Sequence, residues 1–364
     1  MFALSAVNSF FGDSLLLEYG TSAAPRYILI DGGPATTYDK HLTKVLKKVK
    51  GDGHDLELMV LSHVDTDHVT GLLDFIADIR NGNAALPAVK GLWHNSFSQT
   101  IDTNGALAPR MQAALAAAGV QAMSTSSIAI NGISEGHQLR TQALAVPIPL
   151  NPGFANGLIL ADGVGAPWSS GNLEIIIVGP TKANLDALRT DWEEWLDAQE
   201  NAINSGDPFV MANSDRSVPN LSSIQFLAKA DGKTMLLTGD GRSDHLLQAL
   251  RQAGLMSAQD TLHVDLLKLP HHGSDRNVTR TFFKKVTADT YVASADGKDD
   301  NPDLATLIWI VEAAEAAGRE VKIVCTNKTL STDKLQEDYD PADYGYKISF
   351  RKKTSDTVRI ELAS

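Results

Sequence analysis

Four residues able to bind a metal fall within six positions, in the run His63-Val64-Asp65-Thr66-Asp67-His68. An apolar stretch, Leu56–Ser62, leads straight into them. In an extended segment alternate side chains share a face, so positions 63, 65 and 67 project to one side. The turn into a following helix swings His68 toward the same place. Imidazole mixed with carboxylate suits Zn, Mn or Fe better than Ca or Mg. Carboxylates bind one ion each or bridge two, so a metal pair is the chemistry to expect. Such a pair makes hydroxide from water at neutral pH and stabilises the attacking and leaving oxygens of a displacement.

Two further places repeat this context. The apolar segment Thr234–Leu237 delivers Asp240 between Gly239 and Gly241, and Leu262–Leu269 delivers His271 and His272, followed by Gly273 and Ser274. Taken singly, each residue also reads as structural: a helix N-cap for Asp67 or Asp240, a hydrogen-bonded histidine for His271. Taken together, three strand tips bearing ligand-type residues can meet at one sheet edge. His94 follows another short strand, Val89–Trp93, and reads either as a residue facing substrate or as a packed histidine.

The elements that must carry these residues alternate along the chain. Strands are expected at Ser14–Tyr19, Arg26–Ile30, Leu56–Ser62, Val89–Trp93 and Leu173–Val178, and later at Leu262–Leu269, Thr290–Ser294, Val321–Cys325, Lys347–Arg351 and Val358–Leu362. A hairpin, Ser222–Ala228 with Thr234–Leu237, closes around Asp231-Gly232. Helical spacing marks His41–Lys50, Gly71–Ile79, Ala183–Asn201, Asp244–Ala253 and Leu304–Ala316. Between about 100 and 170, an alanine-rich helix at Leu107–Ala118 is followed by a Gly-, Pro- and Ala-rich stretch. That region reads as a loop-rich insertion in a single domain spanning 1–364. Strands and helices mixed throughout, in two similar halves, predict two sheets packed face to face with helices outside.

Composition narrows the function classes. With 364 residues and 43% hydrophobic content, the chain can bury a large core. A net charge of -12 argues against a protein that coats nucleic acid, although a local patch counts for more than the sum. Lys268, Arg276, Arg280, Lys284 and Lys285 are the candidate cations near the histidine pair. The single cysteine, Cys325, excludes an intrachain disulfide and reads as a buried strand residue. Without a signal-peptide pattern or an apolar run of membrane length, the expected location is cytoplasmic, with no membrane partner. The oligomeric state is unknown from the sequence.

His63-Val64-Asp65-Thr66-Asp67-His68 resembles the His-x-His-x-Asp-His signature of the metallo-β-lactamase superfamily. Aspartate in the third position is similar to one branch, that of the hydrolase domain of ComEC/Rec2 DNA-uptake proteins and its free-standing relatives. Gly12-Asp13-Ser14 with Ile30-Asp31-Gly32-Gly33 resembles the opening hairpin of that branch, and Leu236-Leu237-Thr238-Gly239-Asp240 its bridging-aspartate motif. Lys268-Leu269-Pro270-His271-His272-Gly273-Ser274 resembles its closing histidine motif, and Ser294-Ala295-Asp296-Gly297 with Asn301-Pro302-Asp303 its late loop.

The resemblance implies an α/β fold, the αββα four-layer sandwich of the metallo-β-lactamase type, with two divalent ions, Zn or Mn. It implies that His63 and Asp65 hold the first ion and Asp67 and His68 the second. Asp240 would bridge them and His271 would complete the second site, while His272 would serve as a general acid or as a donor behind the ligands. Asp67 and His272 are then the expected catalytic pair. The superfamily usually carries a further histidine some twenty residues before the bridging aspartate. Here that stretch is Pro219-Asn220-Leu221-Ser222-Ser223, with Asn220 the nearest counterpart. Asn220, Ser274 and His94 are the candidates for substrate contact. The implied activity is that of a phosphodiesterase or nuclease, with nucleic acid a possible substrate. Two alternatives stay open: hydrolysis of a small ester, lactone or thioester, and a non-catalytic metal-binding regulatory protein. A basic patch beside the site would favour the first reading, an apolar pocket the second, and failure to bind metal the third.

Overall fold

The strands alternate between two apolar environments, as strands buried on both faces must. Phe2, Leu4 and Ala6 of β1 (Phe2–Val7) share one cluster with Leu15 and Leu17 of β2 (Leu15–Thr21), Ile28 of β3 (Ala24–Ile30) and Leu58 and Val60 of β4 (Leu56–Val60). The residues between them, among them Leu16, Leu29 and Met59, lie in a second cluster on the opposite face. There they meet Leu46 and Val49 of α1 (Thr43–Gly51), Leu72, Phe75 and Ile76 of α2 (Thr66–Arg80) and Leu139 of α3 (Thr125–Ala145). The computed structural model describes the chain apart from residues 101, 103–104, 108, 111–112, 114–124, 156, 164–166, 206–221 and 363–364.

The first sheet has the order β14-β1-β2-β3-β4-β5, where β5 is Leu92–Trp93 and β14 is Thr357–Glu361. It is antiparallel from β14 to β3 and parallel from β3 to β5. The second sheet runs β13-β12-β11-β10-β9-β8-β7-β6. Its antiparallel part is β6 (Trp168–Ser170), β7 (Leu173–Gly179), β8 (Gln225–Ala230) and β9 (Lys233–Leu237). Its parallel part continues through β10 (Leu262–Lys268), β11 (Val286–Ala293), β12 (Val321–Cys325) and β13 (Tyr346–Phe350).

Phe226, Met235, Leu237 and Leu266 of the second sheet enter the same cluster as Phe2 and Val60, so the two sheets pack face to face. On its outer face, Leu227, Leu236 and Leu267 pack with Leu246 and Leu250 of α5 (Ser243–Gln252) and Phe282 and Phe283 of α6 (Arg280–Lys285). Leu307, Ile310 and Val311 of α7 (Leu304–Ala316) and Leu335 of α8 (Leu330–Asp338) complete that layer. The result is helix, sheet, sheet, helix. The long helix α4 (Lys182–Ser205) links β7 toward β8. Among the described residues no helix is long and apolar enough to cross a membrane.

Most expected elements appear within a few residues of their predicted ends. The differences cluster around α2 and the middle of the chain. Helix α2 starts at Thr66 rather than Gly71, so Asp67 lies in its first turn. In the region read as loop-rich, α3 runs for 21 residues. Its apolar residues are interleaved with Ser, Asn and Gly, which blurs the helical period. The expected helix at Leu107–Ala118 lies largely outside the described residues. Strand β1 and helices α6 and α8 had no counterpart in the sequence reading.

Candidate metal centre

The site forms where the tips of β4, β9 and β10 meet. Asp65, extended at φ -66° and ψ 146°, is the N-cap of α2, so the chain turns into helix directly after it. The Asp31-Gly32-Gly33 turn then grips the start of α2. Gly32 N donates to the His68 carbonyl at 2.8 Å, and Gly71 N donates to the Gly33 carbonyl at 3.0 Å. A Cβ on Gly71 would lie 2.0 Å from the Gly32 carbonyl oxygen, so only glycine allows this approach. At the other tip, His271 N donates to the Gly239 carbonyl at 3.1 Å and ties β10 to the Asp240 turn. His271 and His272 both adopt the left-handed region, at φ 47° and 57°. Two successive non-glycine residues there store backbone strain, which aims both imidazoles inward.

The hydrogen bonds behind the four histidines fix one tautomer for all of them. His68 Nδ1 lies 2.9 Å from Asp31 Oδ2. Ser62 Oγ donates to that same carboxylate at 2.6 Å, which leaves it to accept from His63 Nδ1 at 3.1 Å. His272 Nδ1 lies 3.1 Å from the Ser294 carbonyl, with Asp13 Oδ1 at 3.3 Å beside it. His271 Nδ1 lies 2.8 Å from Asn277 Oδ1, and the Asn277 amide is oriented by donating to the Asp240 carbonyl at 2.9 Å. Every Nδ1 therefore faces an acceptor and carries the proton. Nε2 is thus the nitrogen left to face a metal ion, which would take the place of any proton it carries.

These Nε2 atoms converge on Asp240 Oδ2, at 3.7 Å from His63, 3.3 Å from His68, 3.6 Å from His271 and 3.5 Å from His272. Asp65 Oδ2 stands 3.4 Å from His63 Nε2. Asp67 Oδ2 stands 3.3 Å from His272 Nε2 and 3.8 Å from His68 Nε2. The Nε2 atoms of His63, His68 and His272, with Asp65 Oδ1 and Asp240 Oδ1, are buried without a hydrogen-bond partner. Buried polar atoms rarely go unpaired, and this many in one place mark a site built for an ion.

The electrostatics agree. Burial works against charge on His68, yet Asp240, Asp67 and Asp31 hold its imidazolium well above the usual range. Burial likewise opposes charge on His272, and Asp240 and Asp13 raise it well above that range. Burial would lift the Asp240 carboxyl, but His68, His272 and His271 pull it well below its ordinary value. Asp67 is brought down to about 2, against its burial, by His68 and His272. Protons thus stand where the carboxylates call for a cation, and divalent ions fit the donor set.

Among the described residues four compact groups of possible ligands emerge: His63, His68 and Asp240; Asp67, His68 and His272; Asp13, Asp240 and His272; and, behind them, Asp13, Asp31 and His68. The structure thus brings together His63, Asp65, Asp67, His68, Asp240, His271 and His272. The geometry puts His272, rather than His271, in the group with Asp67 and His68. His272 is almost fully buried, whereas the His271 side chain is a quarter exposed at the rim. Ser274 is buried, and its amide closes the turn on the His271 carbonyl at 2.8 Å. Asn220 lies outside the described residues.

His94 is buried at the end of β5, beside Val64 and Gly136, with neither ring nitrogen hydrogen-bonded. Burial, helped by Arg140, lowers its pKa to about 3, so it is neutral. The expected cationic track is not present as drawn. Lys268 is completely buried against Asp13, Arg280 pairs with Glu312, and Lys285 pairs with Asp260. The supporting residues Asp13, Asp31, Ser62 and Asn277 had no assigned role in the sequence reading. Their available signal was position: Asp13 and Asp31 sit beside glycines at strand ends.

The sequence model of the Metallo-beta-lactamase superfamily matches residues 10–132. No curated protein matches the chain significantly in sequence. Among solved structures it is similar to a "Putative metal-dependent hydrolase from Parabacteroides distasonis ATCC 8503", at 10% identity over 88% of this chain and 92% of that one, with a TM-score of 0.37. It is also similar to Zn(2+)-bound PqqB from Methylobacterium extorquens, at 12% identity over 99% of this chain and 100% of that one, with a TM-score of 0.41. The matched segment contains His63 to His68, so residues 10–132 carry the sequence pattern of the Metallo-beta-lactamase superfamily, and among the described residues His/Asp clusters able to hold a metal lie at the edge of the two packed sheets.

Proposed function

We propose that the protein holds two divalent ions and hydrolyses a phosphodiester, in a small molecule rather than along a nucleic-acid strand. The observation that carries the two-ion reading is the convergence of four imidazole Nε2 atoms on Asp240 Oδ2, with Asp65 and Asp67 flanking it. His63 and Asp65 would hold one ion, Asp67, His68 and His272 the other, with Asp240 within reach of both. His271, at the rim, is placed to meet substrate or to donate a proton to a leaving group. Bound ions at this site would supply Lewis acidity to the scissile group and acidify a water. The oxygen-rich set beside His63 suits Mn as well as Zn.

Three considerations support the substrate class. A centre built to neutralise two oxygens at once suits in-line displacement at phosphorus. The motifs resemble a branch associated with DNA uptake. Against a polymer substrate, three of the five cations expected to track a backbone are consumed by Asp13, Glu312 and Asp260, and the net charge is -12. His94, neutral and buried beside Val64, is proposed to face the substrate side.

The test is metal-stripped protein given Mn or Zn separately, with bis-p-nitrophenyl phosphate, single-stranded DNA and a p-nitrophenyl ester as substrates. The expected outcome is metal-dependent cleavage of the small diester, lost by at least about 100-fold in Asp240→Ala. Cleavage of the carboxylic ester alone would overturn the phosphodiester assignment, and efficient cleavage of DNA would overturn the small-substrate reading.

A further inference from the structure

Behind His272 lies an ion pair that ligand geometry alone does not require. Lys268 ends β10 with its side chain completely buried. Its Nζ stands 2.5 Å from Asp13 Oδ2 and donates to the Leu269 carbonyl at 2.9 Å. Asp13 comes from the loop between β1 and β2, so the pair joins the two sheets beneath the site. The other carboxylate oxygen, Asp13 Oδ1, faces His272 Nδ1 at 3.3 Å. Taking both charges out of water is costly, and neutral packing would serve stability as well.

The two buried carboxylates behind the ligand histidines are not equivalent. Asp31, behind His68, is held by the Ser62 amide and hydroxyl at 2.7 and 2.6 Å, both neutral donors. Asp13 is held by a full positive charge. Asp13, Asp31 and His68 also lie within 4.8 Å of one another, so the two acids share one small buried volume. Burial favours the neutral form of Asp13, but Lys268 first and His272 next keep it ionised, far below the usual carboxylate range.

We infer that Lys268 is an internal counter-cation whose pairing with Asp13 sets how tightly His272 holds its metal ion. Asp13 strengthens the imidazole as a ligand through the negative charge it places 3.3 Å from Nδ1, and Lys268 limits that effect by sharing the carboxylate charge. Lys268 and Asp13 are positioning residues and touch no reacting atom. The inference rests on the two-ion reading above.

It makes a prediction of opposite signs. Calorimetric titration of metal-stripped protein with Zn or Mn at neutral pH reads stoichiometry and affinity without reference to turnover. Asp13→Asn should bind one of the two ions at least about tenfold more weakly and leave the other unchanged. Lys268→Met should bind that same ion more tightly, and the double variant should return toward the unmodified protein. Lys268→Gln, which keeps a donor for the Leu269 carbonyl, gives the same reading should the methionine variant not fold. Thermal unfolding of each metal-free variant separates folding from binding. Weakened binding in both single variants, or affinities unchanged in both, overturns the inference while leaving the metal centre intact. An unmodified protein that binds no ion overturns the two-ion reading itself.

Discussion

At the scale of single residues, the two histidines at the tip of β10 should separate in function although they are neighbours. His272→Ala removes a buried Nε2 that faces both Asp67 and Asp240, and should cost one metal ion and at least about 100-fold in kcat/KM. His271→Ala removes a rim imidazole, and should leave metal content near that of the unmodified protein while lowering kcat. Metal analysis beside steady-state kinetics decides the pair. His94 gives a prediction independent of metal. Its pKa is lowered to about 3 in the fold, so below the ordinary value near 6.5 the unfolded chain takes up a proton that the folded chain refuses. Stability is therefore lost progressively as pH falls from 6.5 toward 3. His94→Leu should flatten that slope in urea titrations of metal-free protein from pH 7 to 4. An unchanged slope would show that His94 is not held neutral. The cluster of His63, Asp65, Asp67 and His68 was legible in the sequence because four ligand-type residues crowd six positions. Which of His271 and His272 lies deeper was not, because the left-handed turn brings both toward Asp240 and only the packing around it buries His272 and leaves His271 at the rim.

At the scale of elements, the grip of Asp31-Gly32-Gly33 on α2 is the joint that matters most. Gly71→Ala places a methyl group against the Gly32 backbone with no side chain able to yield. It should destabilise the fold by about 1–3 kcal/mol in denaturant titration. It should also weaken metal binding, since His68 hangs from the same turn. A neutral result on both would mean that the turn relaxes freely. Sequence patterning found the strands that carry ligands because they are apolar runs ended by glycine or proline. It placed the start of α2 five residues late, because Thr66, Asp67 and His68 read as an extended ligand motif before they read as a helical turn. It missed α3 for a different reason: among its described residues the cluster takes one large side chain, Leu139, and one small one, Ala143.

For the molecule as a whole, the centre joins the two sheets. Asp240 and His272 come from one sheet and His63 and His68 from the edge of the other, so ions bound there would link the halves. Ions that bind only the folded state stabilise it by mass action, by about 2.7 kcal/mol when the free ion is a hundredfold above Kd. Chelation should therefore lower the unfolding midpoint, and restoring Zn or Mn should raise it again in a concentration-dependent way. A midpoint indifferent to chelator would argue against ions at the sheet junction. The face-to-face arrangement was legible from the mixed order of strands and helices. The pairing of the chain's last strand with its first was not, because nothing local in either segment specifies a partner more than three hundred residues away.

That last pairing has a temporal side. Strand β1 lies between β2 and β14, registers Ala3 against Glu361, and accepts the Leu362 amide at the Phe2 carbonyl. On the ribosome β2 is available within seconds, but β14 emerges only after every other strand has been made. Throughout synthesis one edge of β1 is a bare row of backbone donors and acceptors on a strand apolar but for Ser5, open to any passing β-segment. The nascent chain thus depends on protection of that edge, and β14 acts as the latch that ends its exposure.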